Sequence, residues 1–259
     1  MLAQYIPGET QVDKLNFVNL SEAELDQNIY RITRQDYVYS LFKNRQNVLT
    51  LVHKWKDKFE NFQKALGGML DGEKFEYAFR NDFVGQCWTL EYLSEAMWGI
   101  YANDSTQRYL RVRSTPRKLL TALAEAHQVG SQDICFIGKV QYKKEEELEA
   151  YVKSSKRLEI APRDLAGSLL LKRRAFEHEN EVRLIYFGTA ISYINGLYGY
   201  TVDPHTMVTQ IMADPNRDRK NWAHDKAAIK AATGFNGEIK RSKIYDPPDW
   251  QLPSYRSTP

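Results

Sequence analysis

The segments best suited to form strands in this chain are short, and the later ones follow one another without a helix between them. "KRRAFEHENEVRLIYF", "GYTVD" and "MVTQIMA" come in succession towards the C-terminus, each carrying β-branched or aromatic residues and none separated by a stretch of helical period. A doubly wound fold needs a crossover helix after each parallel strand, so this order points instead to an α+β chain with a partly antiparallel sheet.

The earlier residues fit the same plan. Residues 1–27 are polar, lack a sustained period and read as an N-terminal arm with one short helix at "SEAELDQ". "NIYRIT" is a strand, followed by a helix in which Tyr37, Leu41 and Phe42 recur at helical spacing. "VLTLVHKW" starts β-branched and gives way to a helical stripe of Trp55, Phe59, Phe62 and Leu66, closed by Gly67–Gly68. "FVGQCWTL" is a strand in which Gly85 marks a bulge or a close approach. "SEAMWGIYA" reads as a helix and "QRYLRVRST" as a strand, and Pro116 opens a further helix. "ICFIGKVQY" (134–142) carries the strongest strand signal. "KEEELEAYVKS" and "DLAGSLLLKR" read as helices, the second ending near Arg173. A helix stopped by Gly234 and a strand at "EIKRSKIYD" complete a single domain over 28–246, and 247–259 form a Pro-rich tail.

Composition narrows the function. A hydrophobic fraction of 42% over 259 residues suffices for a large core. A net charge of +3 permits a nucleic-acid or phosphate partner without demanding one. Two cysteines, Cys87 and Cys135, are too few for a thiolate metal cage or a disulfide framework, and each lies in an apolar run that suits a buried free thiol. No signal peptide or long apolar run is visible, so the expectation is a cytoplasmic protein with no membrane partner and no metal. No Gly-rich phosphate loop, zinc helix or Gly-x-Ser-x-Gly elbow occurs, which removes the usual grounds for a kinase, dehydrogenase, zinc hydrolase or serine hydrolase.

The stretch "KRRAFEHENEVRLIYF" (172–187) sets Glu177, Glu179, Glu181 and Arg183 on alternate positions. As one strand, all four face one side, with alternate Cα atoms about 6.5 Å apart. Two parallel carboxylates so spaced can hold a sugar hydroxyl and reach an incoming nucleophile, chemistry suited to an oxocarbenium-like state. A solvated edge strand accounts for the same row, and spacing does not decide between them. Core packing equally accounts for Trp88, Trp98 and Tyr101, as does a solvated face for Arg111, Arg113 and Lys172–Arg174.

The order "IYRIT", "CWTLEYLSEAMWGIYA" and then Lys172, Phe176, Glu179, Glu181 and Arg183 resembles a bacterial domain family with a Lys…aromatic…Glu-x-Glu-x-Arg strand. It is also similar to the Arg–Ser/Thr–Glu layout of ADP-ribosyltransferases. That resemblance implies an α+β fold with a split, mixed or antiparallel β-sheet core and flanking helices, and NAD as substrate. Carried over, Arg31 grips NAD, with Tyr30, Thr89, Trp88, Trp98 and Tyr101 around it. Thr89 would hydrogen-bond the catalytic glutamate, Glu181 would stabilise the oxocarbenium ion, and Glu179 would orient or deprotonate the acceptor. The toxins of phage-defence toxin–antitoxin systems look most similar, which implies an RNA or other nucleic-acid acceptor and a neutralising antitoxin. An NAD glycohydrolase, a protein ADP-ribosyltransferase and a non-catalytic nucleotide- or partner-binding module are the alternatives.

Overall fold

In a computed structural model, residues 16–55, 67–70, 73–76, 82–127, 134–154, 161–188, 194–248 and 250–251 are described. The strands in chain order are β1 (Phe17–Val18), β2 (Ile29–Arg34), β3 (Gln46–Leu51), β4 (Gly67–Leu70), β5 (Glu73–Glu76), β6 (Phe83–Thr89) and β7 (Tyr109–Ser114). They continue as β8 (Cys135–Lys139), β9 (Gln141–Lys143), β10 (Leu171–Arg173), β11 (Glu181–Phe187), β12 (Leu197–Thr201), β13 (Gln210–Ala213) and β14 (Glu238–Arg241). The helices are α1 (Gln35–Asn44), α2 (Glu95–Tyr101), α3 (Pro116–His127), α4 (Glu145–Ser154), α5 (Pro162–Ser168), α6 (Pro204–Met207) and α7 (Trp222–Thr233).

Ten strands form one mixed sheet along the path β1-β8-β11-β6-β2-β7-β13-β14, with β3 beside β6 and β12 beside β3. The β1–β8 and β13–β14 pairs are parallel, and the other ladders of this sheet are antiparallel. The mixed sheet with helices agrees with the α+β expectation.

The sheet forks at β6. One edge of β6 pairs with β11 over its whole length, from Glu181↔Thr89 to Phe187↔Phe83. The other edge pairs with β2 only at Thr89 and with β3 only at Val84 and Gly85. Side chains take over where this ladder lapses: Gln86 Nε2 donates to the Val48 carbonyl at 3.1 Å and to Asn47 Oδ1 at 3.0 Å. Asn47 Nδ2 in turn donates to the Tyr200 hydroxyl at 2.8 Å, and the Trp88 indole N–H donates to Gln86 Oε1 at 2.8 Å. A buried polar chain thus satisfies groups that a continuous ladder would otherwise have paired.

Strand alternation divides β11 between two surroundings. Val182, Leu184 and Tyr186 enter the main core with Leu119, Leu120 and Leu123 of α3. Ile185 points the other way into a second cluster with Phe83, Phe136 and Leu165 of α5. Glu181 and Arg183 share the Ile185 face by period two. A third cluster places Met97 and Trp98 of α2 against Ile32, Tyr109 and Met212.

Several segments differ from the sequence reading. The 172–187 stretch is not one strand: Leu171–Arg173 is extended, Arg174–Glu179 forms a 3-10 turn, and β11 begins at Glu181. Asn180, at φ 43°, takes the left-handed conformation between them, which Asn tolerates better than most residues. Lys172 therefore belongs to a strand and not to the end of the preceding helix. "ICFIGKVQY" breaks at Val140 into β8 and β9, and "SEAELDQ" keeps only a 3-10 turn over Glu22–Glu24. Gly67–Gly68 begin β4, and residues 56–66 of the helix they were expected to close lie outside the described residues. Phe59, Phe62 and Leu66 of the expected helix lie outside the described residues, as do 1–15 of the arm and most of the tail.

Gly85 shows a close approach. A methyl group on it would lie 2.9 Å from Trp55 Cζ2 and 3.1 Å from the Leu184 carbonyl oxygen. Gly85→Ala should lower stability by about 1–3 kcal/mol through overpacking, read as a reduced urea midpoint at unchanged slope. An unchanged midpoint would mean that the indole moves aside freely.

Candidate active site

The fork opens a cleft of about 580 Å³ on the face that carries Glu181, a volume within the range of small-molecule sites. Tyr30, Arg31, Trp88, Thr89, Tyr101, Glu179 and Glu181 all border it, brought together from β2, β6, α2 and the turn before β11. Trp98 does not. It is buried in the α2 cluster with Met97 and Ile32. Trp88 is only 3% exposed and its indole belongs to the main core.

Four charged side chains meet at the end of the cleft, each less than 10% exposed. Lys172 Nζ lies 2.7 Å from Glu179 Oε2 and 3.5 Å from Glu181 Oε1. Arg183 Nε donates to Glu181 Oε2 at 2.8 Å, and its Nη2 contacts the same oxygen. Arg183 Nη1 donates to the Leu169 carbonyl at 2.6 Å, while the Trp55 ring covers the guanidinium at 4.5 Å. The Tyr101 hydroxyl donates to Glu179 Oε2 at 3.4 Å. From the other side, the Tyr142 hydroxyl accepts the Glu181 backbone N–H at 2.9 Å.

The two carboxyl groups are driven apart. Burial, then the neighbouring Glu181 charge and a hydrogen bond to it, push Glu179 up to about 7 against the pull of Lys172. Burial also opposes the charge on Glu181, but Arg183, Lys172 and the hydrogen bond with Glu179 outweigh it and hold that carboxylate below its usual range. One group is thus poised to gain or lose a proton near neutrality, and the other stays ionised.

Thr89 braces the backbone here, not a carboxylate. Its hydroxyl donates to the Glu179 carbonyl at 2.6 Å and accepts the Glu91 N–H at 3.0 Å. Arg31 stands on β2 at the fork, and burial lowers its affinity for a proton, partly offset by Cys87 and Tyr101. It has no carboxylate partner among the described residues. A half-desolvated guanidinium without a counter-ion is a natural anion site. Cys87 is half-buried on the cleft wall instead of sealed in the core.

Sequence reading puts Trp55 in a helical stripe, and Lys172 both as a motif partner of the glutamates and as part of a basic rim. Lys172 stood with Arg173 and Arg174 as a basic rim, yet it is 6% exposed and lies between the two glutamates. Its place after the apolar "SLLL" was the available signal. Glu177 is exposed and pairs with Arg174 at 3.3 Å, away from this set. Among the described residues no group of three His, Cys, Asp or Glu side chains could hold a metal ion, and no helix is long and apolar enough to cross a membrane.

No family model and no curated protein matches the chain. Among solved structures it is similar to Thermus sp. 2.9 DarT in complex with ADP-ribosylated ssDNA, at 10% identity and a TM-score of 0.38 over 84% of this chain and 95% of that one. The NAD+ and carba-NAD+ complexes of the same protein give TM-scores of 0.37 and 0.35 at 10% identity, each over 84% of this chain and 96% of that one. Likeness at this level carries no argument about chemistry, which rests on the cleft itself.

The raised Glu179 carboxyl links stability to pH. Unfolded, it ionises in the ordinary glutamate range near 4.3; folded, it holds its proton to about 7. The folded state therefore binds the extra proton, and this group's contribution falls as pH rises across that window. Glu179→Gln abolishes that loss, so its melting temperature should gain on wild type between pH 5 and 8. A difference that stays constant with pH would remove the shifted carboxyl from the account.

Proposed function

We propose that the chain is an NAD-dependent ADP-ribosyltransferase, with the fork as the split core of that fold. One observation carries this reading. A cation without a carboxylate partner, Arg31, and a pair of carboxyl groups held in different protonation states border one cleft. Transfer from NAD needs both: a grip on the pyrophosphate or ribose, and a fixed negative charge where positive charge develops. A buried ion network built only for stability has no use for an uncompensated guanidinium beside it.

In this reading Arg31 binds NAD phosphate or the nicotinamide ribose, with Tyr101 and Tyr30 along the cleft and Thr89 fixing the backbone of Glu179. Glu181 remains ionised, accepts the ribose 2′-hydroxyl and stabilises the oxocarbenium ion. The C1′–N bond breaks with its electron pair leaving on nicotinamide, which departs neutral. An acceptor oxygen or nitrogen then bonds to C1′ and gives its proton to Glu179, whose raised pKa suits a general base near neutral pH. Trp88 and Trp98 act only as packing behind these groups.

The acceptor we propose is nucleic acid, RNA foremost, since aromatic content of 12% and a basic balance suit stacked bases and phosphates. A cytoplasmic enzyme that spends NAD on core machinery arrests its own cell, so we place it as the toxin of a phage-defence pair restrained by an antitoxin.

The test is labelled NAD incubated with pure protein and total lysate, with nicotinamide release followed beside acceptor labelling. Glu181→Gln should reduce both by about 10²–10³. Glu179→Gln should cut acceptor labelling and spare residual hydrolysis, and Arg31→Ala should weaken NAD binding in calorimetry. Wild-type protein that neither binds NAD nor releases nicotinamide would leave a non-catalytic binding module instead.

A further inference from the structure

A second hollow, of about 790 Å³, lies across β2 from the cleft. Its floor follows the sheet register: Ile32 pairs with Arg111 of β7, Arg111 with Met212 of β13, and Met212 with Lys240 of β14. Arg111, Met212 and Lys240 all line the hollow. Its walls carry Tyr92, Trp222, Arg219 and Lys243, and the one carboxylate lining it among the described residues, Asp246, is paired with Arg241.

Arg111 is the unusual member. It is 3% exposed, yet its Nε and Nη2 have no hydrogen-bond partner among the described residues. Only Nη1 is used, donating to the Tyr92 carbonyl. The guanidinium is held in place by rings instead of carboxylates, with the Tyr30 centroid at 4.5 Å and the Tyr92 centroid at 5.0 Å. A buried cation that keeps two donors unspent bears a desolvation cost that an arriving anion would offset. Arg219 and Lys243 are exposed beside it with no ion pair among the described residues.

The two hollows share walls. Tyr30 borders the cleft, and its ring meets that of Tyr92, which lines the second hollow, at 5.5 Å and a tilt of 45°. Helix α2 bridges them, with Trp98 at the second hollow and Tyr101 at the cleft. Three strand spacings of about 4.8 Å, about 14 Å in all, separate β7 from β11 along the path β11-β6-β2-β7, a distance that a few nucleotides of a strand seated over Arg111 can span.

We infer that the second hollow holds the phosphodiester backbone of a single-stranded nucleic acid: a phosphate on Arg111, a base against Tyr92 or Trp222, and neighbouring phosphates on Arg219 and Lys243. This rests on the transferase reading only in making that strand the acceptor, and binding is tested without NAD. Fluorescence anisotropy with a labelled single-stranded oligonucleotide, as RNA and as DNA, measures affinity against salt. Arg111→Gln removes the buried site. Because Arg111 is buried, Arg219→Ser with Lys243→Ser provides a second variant confined to exposed side chains.

Expected are oligonucleotide binding by the wild type, an affinity loss of about 10-fold or more in the double variant, and a salt slope shallower by about 1 for each phosphate contact removed. NAD affinity in calorimetry should stay unchanged in the double variant, which separates this site from the cleft. Competition by adenosine monophosphate as effective as the oligonucleotide would assign the hollow to a free nucleotide and overturn the proposal. So would absent oligonucleotide binding, or equal affinity in wild type and double variant.

Discussion

The site depends on one guanidinium. Arg183 is fully buried in β11, between β8 and β6 in the sheet, and each of its contacts ties a different part of the molecule to Glu181. It holds the carboxylate, accepts cover from Trp55 and caps the carbonyl of Leu169 at the end of α5. Removing one partner from such a buried pair typically costs about 3–5 kcal/mol, because the other charge is left without compensation. Gly85 belongs to the same arrangement, since a side chain there would press on the indole that covers Arg183.

From that pairing the division of labour follows. With Arg183 committed to Glu181, Lys172 is the cation paired with Glu179 among the described residues, yet it cannot fully offset burial and the adjacent negative charge. Two like carboxyl groups that close cannot both ionise freely. The one with the better cation stays charged, and the other keeps its proton toward neutrality. Across the fork Arg31 has no such partner. The interrupted ladder matters as much as the charges, because a β6 fully paired on both edges would leave no gap for a substrate.

Much of this was legible in sequence, for identifiable reasons. The strands around "FVGQCWTL" and "RLIYF" follow from local period and β-branching, and so do the helices that begin at Pro116 and end at Gly234. Glu181 and Arg183 were placed on one face by alternation alone, and they share it. Glu179 reached the cleft by another route. Period two put it in the strand, whereas a 3-10 turn and the left-handed Asn180 deliver it from outside. Charge alternation cannot separate these cases, since Arg174 and Glu177 pair at a spacing of three as readily as strand residues align at two. Tertiary context decides where Lys172 and Trp98 lie. A lysine among arginines reads as surface until its carboxylates are known, and an aromatic on a helix does not announce which of two hollows it faces.

The central claim is that neighbouring buried carboxyl groups are held in different protonation states by an unequal share of two cations. Carbon-13 NMR of protein labelled at glutamate carboxyl carbons, titrated from acid to mildly alkaline pH, tests it most directly. Glu179→Gln and Glu181→Gln samples assign the resonances. One carboxyl should titrate near 7 and disappear in Glu179→Gln. A second, absent from Glu181→Gln, should stay ionised below the usual glutamate range. Two carboxyl groups titrating together in the ordinary range, with no coupling between the variants, would contradict the account.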